Sequence, residues 1–337
     1  MSNEILSTLL LEYDQKKRRA ELDLERRKEE LYKKIPRLQE IEIELNNFAI
    51  NTAKSILIGG NSSLENLNKK VSELKLEKEK LLKENKISNS YLEPYYDCSI
   101  CKDTGYIQVE NSASSLCSCL KQKLLDISYN KSNISNLSKE NFDTFNSNIF
   151  SEKAEPEKYK INISPRQNMI TIKAKCMEFV ESFDNPGTHN LLFTGNTGLG
   201  KTFMSNCIAN ELIKKGKNVL YQTAPVLLET VIDNKMNKYK NSSQDDFYKN
   251  VLEADLLIID DLGTECLNSM KLSELFTILN TRLLNLNNKV TKTIISTNLN
   301  INNIFKNYEE RIGSRIAGFY DIYYFFGDDL RFKLPKS

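Results

Sequence analysis

A glycine-rich loop between an apolar strand and an amphipathic helix constrains this chain more than any other feature. Leu191-Leu192-Phe193-Thr194 is a short apolar run of the kind that forms a buried strand. It leads into Gly195-Asn196-Thr197-Gly198-Leu199-Gly200-Lys201-Thr202, after which Phe203 to Lys215 carries apolar residues at helical spacing. Strand, loop and helix in this order are the context of a triphosphate-binding P-loop. Glycines let main-chain N–H groups converge on phosphate oxygens, and the helix start adds partial positive charge. Gly195 to Thr202 are therefore the expected ATP-binding residues. Lys201 would reach the β- and γ-phosphates, and the Thr202 hydroxyl would join a Mg²⁺ shell. The glycine spacing does not fit the Gly-x-Gly-x-x-Gly turn of dinucleotide folds.

Beyond Asn190, short apolar runs at 190–194, 218–222, 255–260, 292–297 and 319–325 alternate with helical stretches. That alternation predicts an α/β fold, a parallel sheet between helical layers. Leu256-Leu257-Ile258-Ile259 ends in Asp260-Asp261, so two carboxylates emerge beside the loop at the end of a strand buried on both faces. Asp260 is the expected Mg²⁺ partner, and Asp261 the residue that orients the attacking water. Thr293 to Thr297 ends in Asn298, an amide placed for the γ-phosphate or the water. Arg311 and Arg315 share a helix face four residues apart, and guanidinium groups suit the spread charge of a phosphoryl transition state.

The rest of the 337 residues divides by composition. Residues 1–90 carry 18 basic and 16 acidic side chains, interspersed as on a solvated helix face. Leu31, Ile35, Leu38, Leu45 and Phe48, then Leu64, Leu67, Val71, Leu74 and Leu81, recur in steps of three, four and seven. Such a seam predicts a helical coiled-coil hairpin, with Pro36 ending or kinking a helix and Gly59 to Ser63 making the turn. It serves either as an oligomerisation or spacer hairpin or as a docking arm for a partner protein. Over 91–127, Cys98-x-x-Cys101 and Cys117-x-Cys119 flank a hairpin-sized segment with a strand at 104–109, a zinc-ribbon-like pattern. Four thiolates suit Zn²⁺, with an Fe–S cluster or free thiols as alternatives. Residues 128–165, rich in Asn, Ser and Lys, read as a linker, and 166–337 as the ATP-binding domain. With 47 Lys and Arg against 45 Asp and Glu, any nucleic-acid surface must be local. No secretory signal or membrane-length apolar run is present, and seven cysteines without an export signal point to a cytoplasmic protein with no membrane association.

The P-loop, Ile258-Ile259-Asp260-Asp261-Leu262-Gly263, Ser296-Thr297-Asn298, Glu310-Arg311-Ile312-Gly313-Ser314-Arg315 and Gly327-Asp328-Asp329-Leu330-Arg331 together resemble the AAA+ ATPases of the bacterial replicative-helicase loaders, the DnaC/DnaI group. The resemblance covers roughly residues 130–337, and the cysteine cluster is similar to that of DnaI-like members. It implies that Asn298 is the sensor-1 residue, that Arg315 (with Arg311 as competitor) is an arginine finger serving a neighbouring subunit, and that Arg331 is the sensor-2 arginine. It further implies a homo-oligomer in the ATP state, a hexameric replicative helicase as partner, and single-stranded DNA contact through the helix after the second strand. Here that helix is 224–240, where Lys235, Lys238 and Lys240 surround Tyr239. Asp261 stands where many AAA+ proteins carry glutamate, which implies slow hydrolysis. The transposition helpers of the IstB-like kind have a very similar module and form the alternative.

Overall fold

The computed structural model describes residues 2–58, 64–108, 114–127, 139–236, 245–284 and 289–332. The chain divides into two compact units, Leu6–Cys117 and a larger one dominated by Ser118–Ser337.

The smaller unit is helical. Helix α1 (Ser2–Lys34) stops at Ile35, and α2 (Pro36–Ile58) begins on the proline, whose missing N–H costs nothing at a helix start. Helix α3 (Leu64–Glu84) runs antiparallel to α2. Arg37 pairs with Glu77, Glu42 with Lys78, and the Lys70 ammonium lies 5.7 Å from the centre of the Phe48 ring. Leu31, Leu38 and Leu82 are buried at one end of the pair, with Ile35 and Leu81 against them. The turn expected at 59–63 lies outside the described residues. Arg27 is buried on α1 and stacks 4.0 Å from the centre of the Tyr95 ring, while donating to the carbonyls of Tyr91 and Glu93. The start of the cysteine segment is thereby fixed to the helical arm. Strands β1 (Tyr106–Ile107) and β2 (Ser115–Leu116) pair antiparallel, a shorter ladder than the strand expected over 104–109, whose last residue lies outside the described residues.

The larger unit opens with α4 (Ser118–Leu125). From β2's side of the cysteine segment, composition places this helix with the cysteines, yet it belongs to the sheet unit. The Gln122 side chain accepts from the Val219 N–H at 2.7 Å and donates to the Val219 carbonyl at 3.1 Å. Its amide thus satisfies the outer edge of a strand as a neighbouring strand would. After the single turn α5 (Pro156–Tyr159) and α6 (Pro165–Glu181), the chain alternates between strands and helices. These are β3 (Asn190–Gly195), α7 (Lys201–Lys214), β4 (Val219–Thr223), α8 (Ala224–Met236), α9 (Asp245–Glu253), β5 (Leu256–Leu262), α10 (Ser269–Leu283), β6 (Lys292–Thr297), α11 (Ile301–Asn307), α12 (Glu309–Phe319) and β7 (Tyr320–Phe325). All five long strands are parallel, in the order β4-β5-β6-β3-β7. Every strand expected from the apolar runs is present within a residue or two.

Alternation decides which side chain faces which layer. Leu191, Phe193, Tyr221, Ile258 and Ile294 pack against α6 and α7, while Leu192, Leu220, Leu257, Ile259 and Ile295 pack against α8, α10 and α12. A fully buried Arg282 on α10 fastens the strand starts together. It donates to the carbonyls of Val251 and Ala254 at 2.9 Å and of Lys292 at 2.6 Å, and to the Thr293 hydroxyl at 3.0 Å. Burial pushes its pKa down to about 10, so it still carries its charge at neutral pH.

The described part of the expected linker, 139–165, is not a spacer. Phe142 and Phe150 lie in the core with α6 and α7, and Arg166 grips the carbonyls of Asn148 and Phe150 at 3.1 and 3.2 Å. Aromatic residues spaced among Asn and Ser supply enough apolar surface to bind this strap to the domain.

Glu42 makes the helical arm sensitive to acid. Burial alone would raise its pKa, but hydrogen bonds from Lys78, Tyr32 and Lys28 outweigh that and hold it at about 2. A carboxyl depressed in the folded state stabilises it above the unfolded pKa, and that contribution fades as pH falls towards the folded one. Glu42→Gln is expected to lower the melting temperature of the helical signal at pH 7. The gap from wild type should shrink as pH drops from about 5 towards about 2, measured by circular dichroism melts; a gap independent of pH would contradict the assignment.

Candidate nucleotide site and cysteine cluster

β3 lies between β6 and β7, so its carboxyl end is where the loops following three strands meet. Gly195 has φ of +140°, and a Cβ there would sit 2.0 Å from the Phe325 carbonyl oxygen, so only glycine lets the loop leave the strand this close to β7. Gly198 has φ of +74°, and a Cβ would overlap the Asp329 carboxylate; the Leu330 N–H also donates to its carbonyl at 3.0 Å. The segment after β7 is thereby laid across the loop, and that contact brings Arg331 to the site.

Lys201 is only 6% exposed, although it carries a charge. Its Nζ donates to the carbonyls of Gly195 at 2.6 Å and Asn196 at 2.8 Å and to Oδ1 of Asn298 at 2.8 Å. Burial lowers its pKa, while the charges of Asp261 and Asp260 act against that. Thr202 donates to Oδ2 of Asp260 at 3.0 Å. Asp260 is buried and also accepts from the hydroxyls of Tyr221 and Ser296, and from the Asp261 N–H at 3.0 Å. Asp261 is exposed and sits at φ of +55°, a conformation uncommon for a side-chain-bearing residue. Burial, then the negative charge of Asp260, raises its pKa, which suits a group that accepts a hydrogen bond from water.

A cavity of about 460 Å³ adjoins these groups. It is lined by Thr197 to Phe203 with Asp261 and Arg331, and by Phe145, Ile149, Phe150, Met169 and Leu330 among the polar Glu140, Thr144 and Asn146. A buried ammonium on a glycine-rich loop, with aromatic side chains in the same cavity, suits a nucleoside triphosphate. The arrangement thus brings together Lys201, Thr202, Asp260, Asp261, Asn298 and Arg331. Arg311 and Arg315 do not line the cavity. Both stack on the Phe276 ring, at 4.6 and 4.4 Å, and Arg315 donates to Oδ1 of Asn280 at 2.8 Å. Of the expected DNA-contacting residues, Lys235 is engaged by Glu274 at 2.6 Å, which removes it from a set of free cations. Lys238, Tyr239 and Lys240 lie outside the described residues.

Sequence reading missed Tyr221 and the strap of 140–150, and gave Ser296 no role of its own within the Ser296-Thr297-Asn298 motif. Phe142, Phe145 and Phe150 stood out from their polar neighbours. Tyr221 gave no signal, because its partner is 39 residues away on the next strand of the sheet.

The sulfurs of Cys98, Cys101, Cys117 and Cys119 all lie within 4.8 Å of one another, and none is in a disulfide. A zinc ion with bonds of about 2.3 Å to four sulfurs sets them about 3.8 Å apart, so this donor set fits a structural Zn²⁺. The turn that follows Cys101 is tightly specified. Asp103, buried at 2% exposure, accepts from the N–H groups of Asp97 and Cys98, both at 2.9 Å, and Lys102, Asp103 and Gly105 all have positive φ.

A buried lysine, a threonine and an aspartate around a cavity at the end of a parallel sheet form a P-loop nucleotide-binding site. Residues 149–310 match the family described as IstB-like ATP binding protein. The chain is similar to the replicative helicase loader DnaC of Escherichia coli K12, at 28% identity over 109 residues, 32% of this chain and 42% of that protein. The chromosomal replication initiator DnaA of Campylobacter jejuni RM1221 is 33% identical over 133 residues, 38% of this chain and 28% of that one. The chain thus spans less than half the length of these curated relatives. The crystal structure of the DnaC helicase loader aligns with a TM-score of 0.44 at 22% identity, covering 57% of this chain and 99% of that one.

Tyr221→Phe and Ser296→Ala should each raise the Mg²⁺ concentration needed for half-maximal ATP binding about tenfold. Titration of a fluorescent ATP analogue reads this, and an unchanged midpoint in both would contradict their role in orienting Asp260. For the cysteines, the expected metal content of the purified chain is about one zinc, falling to near none in Cys101→Ser. Elemental analysis decides it; a metal-free wild type would leave the cluster as thiols.

Proposed function

We propose that this protein is an ATP-dependent loader of a hexameric replicative helicase onto single-stranded DNA. The observation that carries the reading is the buried Lys201 ammonium beside Thr202 and Asp260, in a domain homologous to a helicase loader. Bound ATP would set its triphosphate on the Gly195 to Thr202 loop and its base against Phe145, Phe150 and Met169. Mg²⁺ held by Thr202 and Asp260 would neutralise charge on the β- and γ-phosphates. Asp261 would hold the attacking water with Asn298 beside it, and Arg331 would meet the phosphate charge. Arg315, or Arg311, would complete the site of a neighbouring protomer, since both lie on α12 outside their own cavity. Hydrolysis is expected to be slow, because Asp261 is one methylene shorter than a glutamate, and partner or DNA would stimulate it. The helical arm and cysteine segment would grip the helicase, and the whole cycle belongs to the cytoplasm. No helix among the described residues is long and apolar enough to cross a membrane.

A transposition helper ATPase is the second reading, favoured by the name of the matching family. Its partner would be a transposase and its DNA double-stranded. The helical arm and the four cysteines support the loader instead.

Co-purification with a hexameric replicative helicase tests the proposal. Removing residues 1–117 should abolish the complex, whereas Lys201→Ala should retain it and lose only its response to ATP. A complex that survives the deletion, or a chain that ignores the helicase and binds duplex DNA with a transposase, would overturn the loader reading.

A further inference from the structure

The loop that carries Asp261 is fastened at its far end by a buried carboxylate that the site described above does not use. Glu265 is 8% exposed and both its oxygens are engaged: Oε2 accepts from the Gly263 N–H at 2.9 Å, and Oε1 accepts from the Tyr308 hydroxyl. Tyr308 is fully buried and sits at a junction, its N–H closing α11 on the Ile304 carbonyl at 2.9 Å and its next residue starting α12. Within the loop, the Thr264 hydroxyl donates to the Asp261 carbonyl at 2.8 Å. Gly263, at φ of +107°, leaves no room for a side chain, because a Cβ there would lie 2.8 Å from a Leu299 methyl. The backbone from Asp261 to Glu265 is therefore held at several points, and the last anchor is Tyr308, immediately before α12, the helix that presents Arg311 and Arg315.

An apolar core would hold these elements together at less risk. A carboxylate and a phenol buried together cost free energy unless each satisfies the other, and losing one leaves the other stranded. Such a pair makes a poor general adhesive and a good positioning device, since its hydrogen bonds fix direction as well as contact. Asp261 needs such support, because its positive φ is a strained conformation that relaxes unless its surroundings define it.

Resting on the ATP-hydrolysing reading of the site, we propose that Glu265 and Tyr308 are positioning residues for hydrolysis. They form a latch that holds the Asp261 loop in register with α12 and so with the arginines offered to a neighbour. Neither touches nucleotide. The latch acts on turnover and leaves nucleotide capture to the Gly195 to Thr202 loop.

The test compares steady-state ATP hydrolysis and equilibrium ATP binding in the full chain. Tyr308→Phe deletes one hydroxyl and keeps the buried ring. It should lower kcat about tenfold while KM and ATP affinity stay within about twofold of wild type, because displacing a water-orienting group costs rate without affecting ground-state binding. Glu265→Gln keeps an acceptor for the Gly263 N–H and an amide for the phenol oxygen, so it should retain most of the turnover. Glu265→Ala should lose turnover as Tyr308→Phe does. Wild-type turnover in Tyr308→Phe overturns the latch, and so does a fall in kcat that is matched by a fall in ATP affinity and melting temperature. A wild-type chain that binds ATP yet releases no phosphate with helicase and single-stranded DNA present removes the hydrolytic reading and the latch with it.

Discussion

An ammonium group in a nearly closed site needs oxygen atoms around it, and where Lys201 finds them organises the rest of the molecule. Two of its three acceptors are carbonyls of its own loop, Gly195 and Asn196, and the third is Asn298 at the end of β6. Such an ion, left without partners, would carry a desolvation cost of several kcal/mol. The loop must therefore curl back on the strand it leaves, and β6 must lie beside β3. Parallel pairing of Leu191 to Thr194 with Ile294 to Thr297 provides that adjacency. Arg282, at the opposite end of the sheet, keeps β5 and β6 aligned from the other direction by gathering carbonyls that would otherwise be buried unpaired. Two buried cations, one at each end of the strands, thus fix the frame on which the carboxylates stand.

The carboxylates divide the chemistry through their surroundings. Asp260 is enclosed by four donors from β4, β5, β6 and α7, so its orientation is set before any metal arrives. Asp261 opens to solvent, its acidity weakened by partial desolvation of its carboxyl and by its neighbour's charge. One residue is built to stay put and the other to interact with water. The strained backbone of Asp261 and the glycine at 263 follow from turning the chain sharply enough to separate them.

Much of this was legible in the sequence, and for definite reasons. β5 was plain because Leu256 to Ile259 is buried on both faces and so reads as an unbroken apolar run. Lys201, Thr202, Asp260 and Asn298 were legible because loop geometry demands those residue types at the ends of those strands. What escaped were partnerships across the fold. Tyr221 meets Asp260 only because β4 is adjacent to β5, Gln122 meets Val219 across 97 positions, and Tyr308 meets Glu265 across 43. The strap of 139–150 was hidden by its Asn and Ser content, since three phenylalanines suffice to anchor it to the core and composition weighs them lightly. Lys235, expected in a basic cluster, is paired with a glutamate on another helix, a partner that sequence spacing does not reveal.

The central claim concerns how Lys201 captures a triphosphate, and equilibrium binding of ATP by wild type and Lys201→Ala, each with and without Mg²⁺, tests it most directly. Loss of charged hydrogen bonds to phosphate should weaken the affinity of Lys201→Ala relative to wild type by about 2–3 kcal/mol, roughly thirty- to a hundred-and-fiftyfold. Wild-type affinity should also fall on removing Mg²⁺. Equal affinity in the two proteins, or tight binding indifferent to the metal, would contradict the assignment of this cavity to ATP.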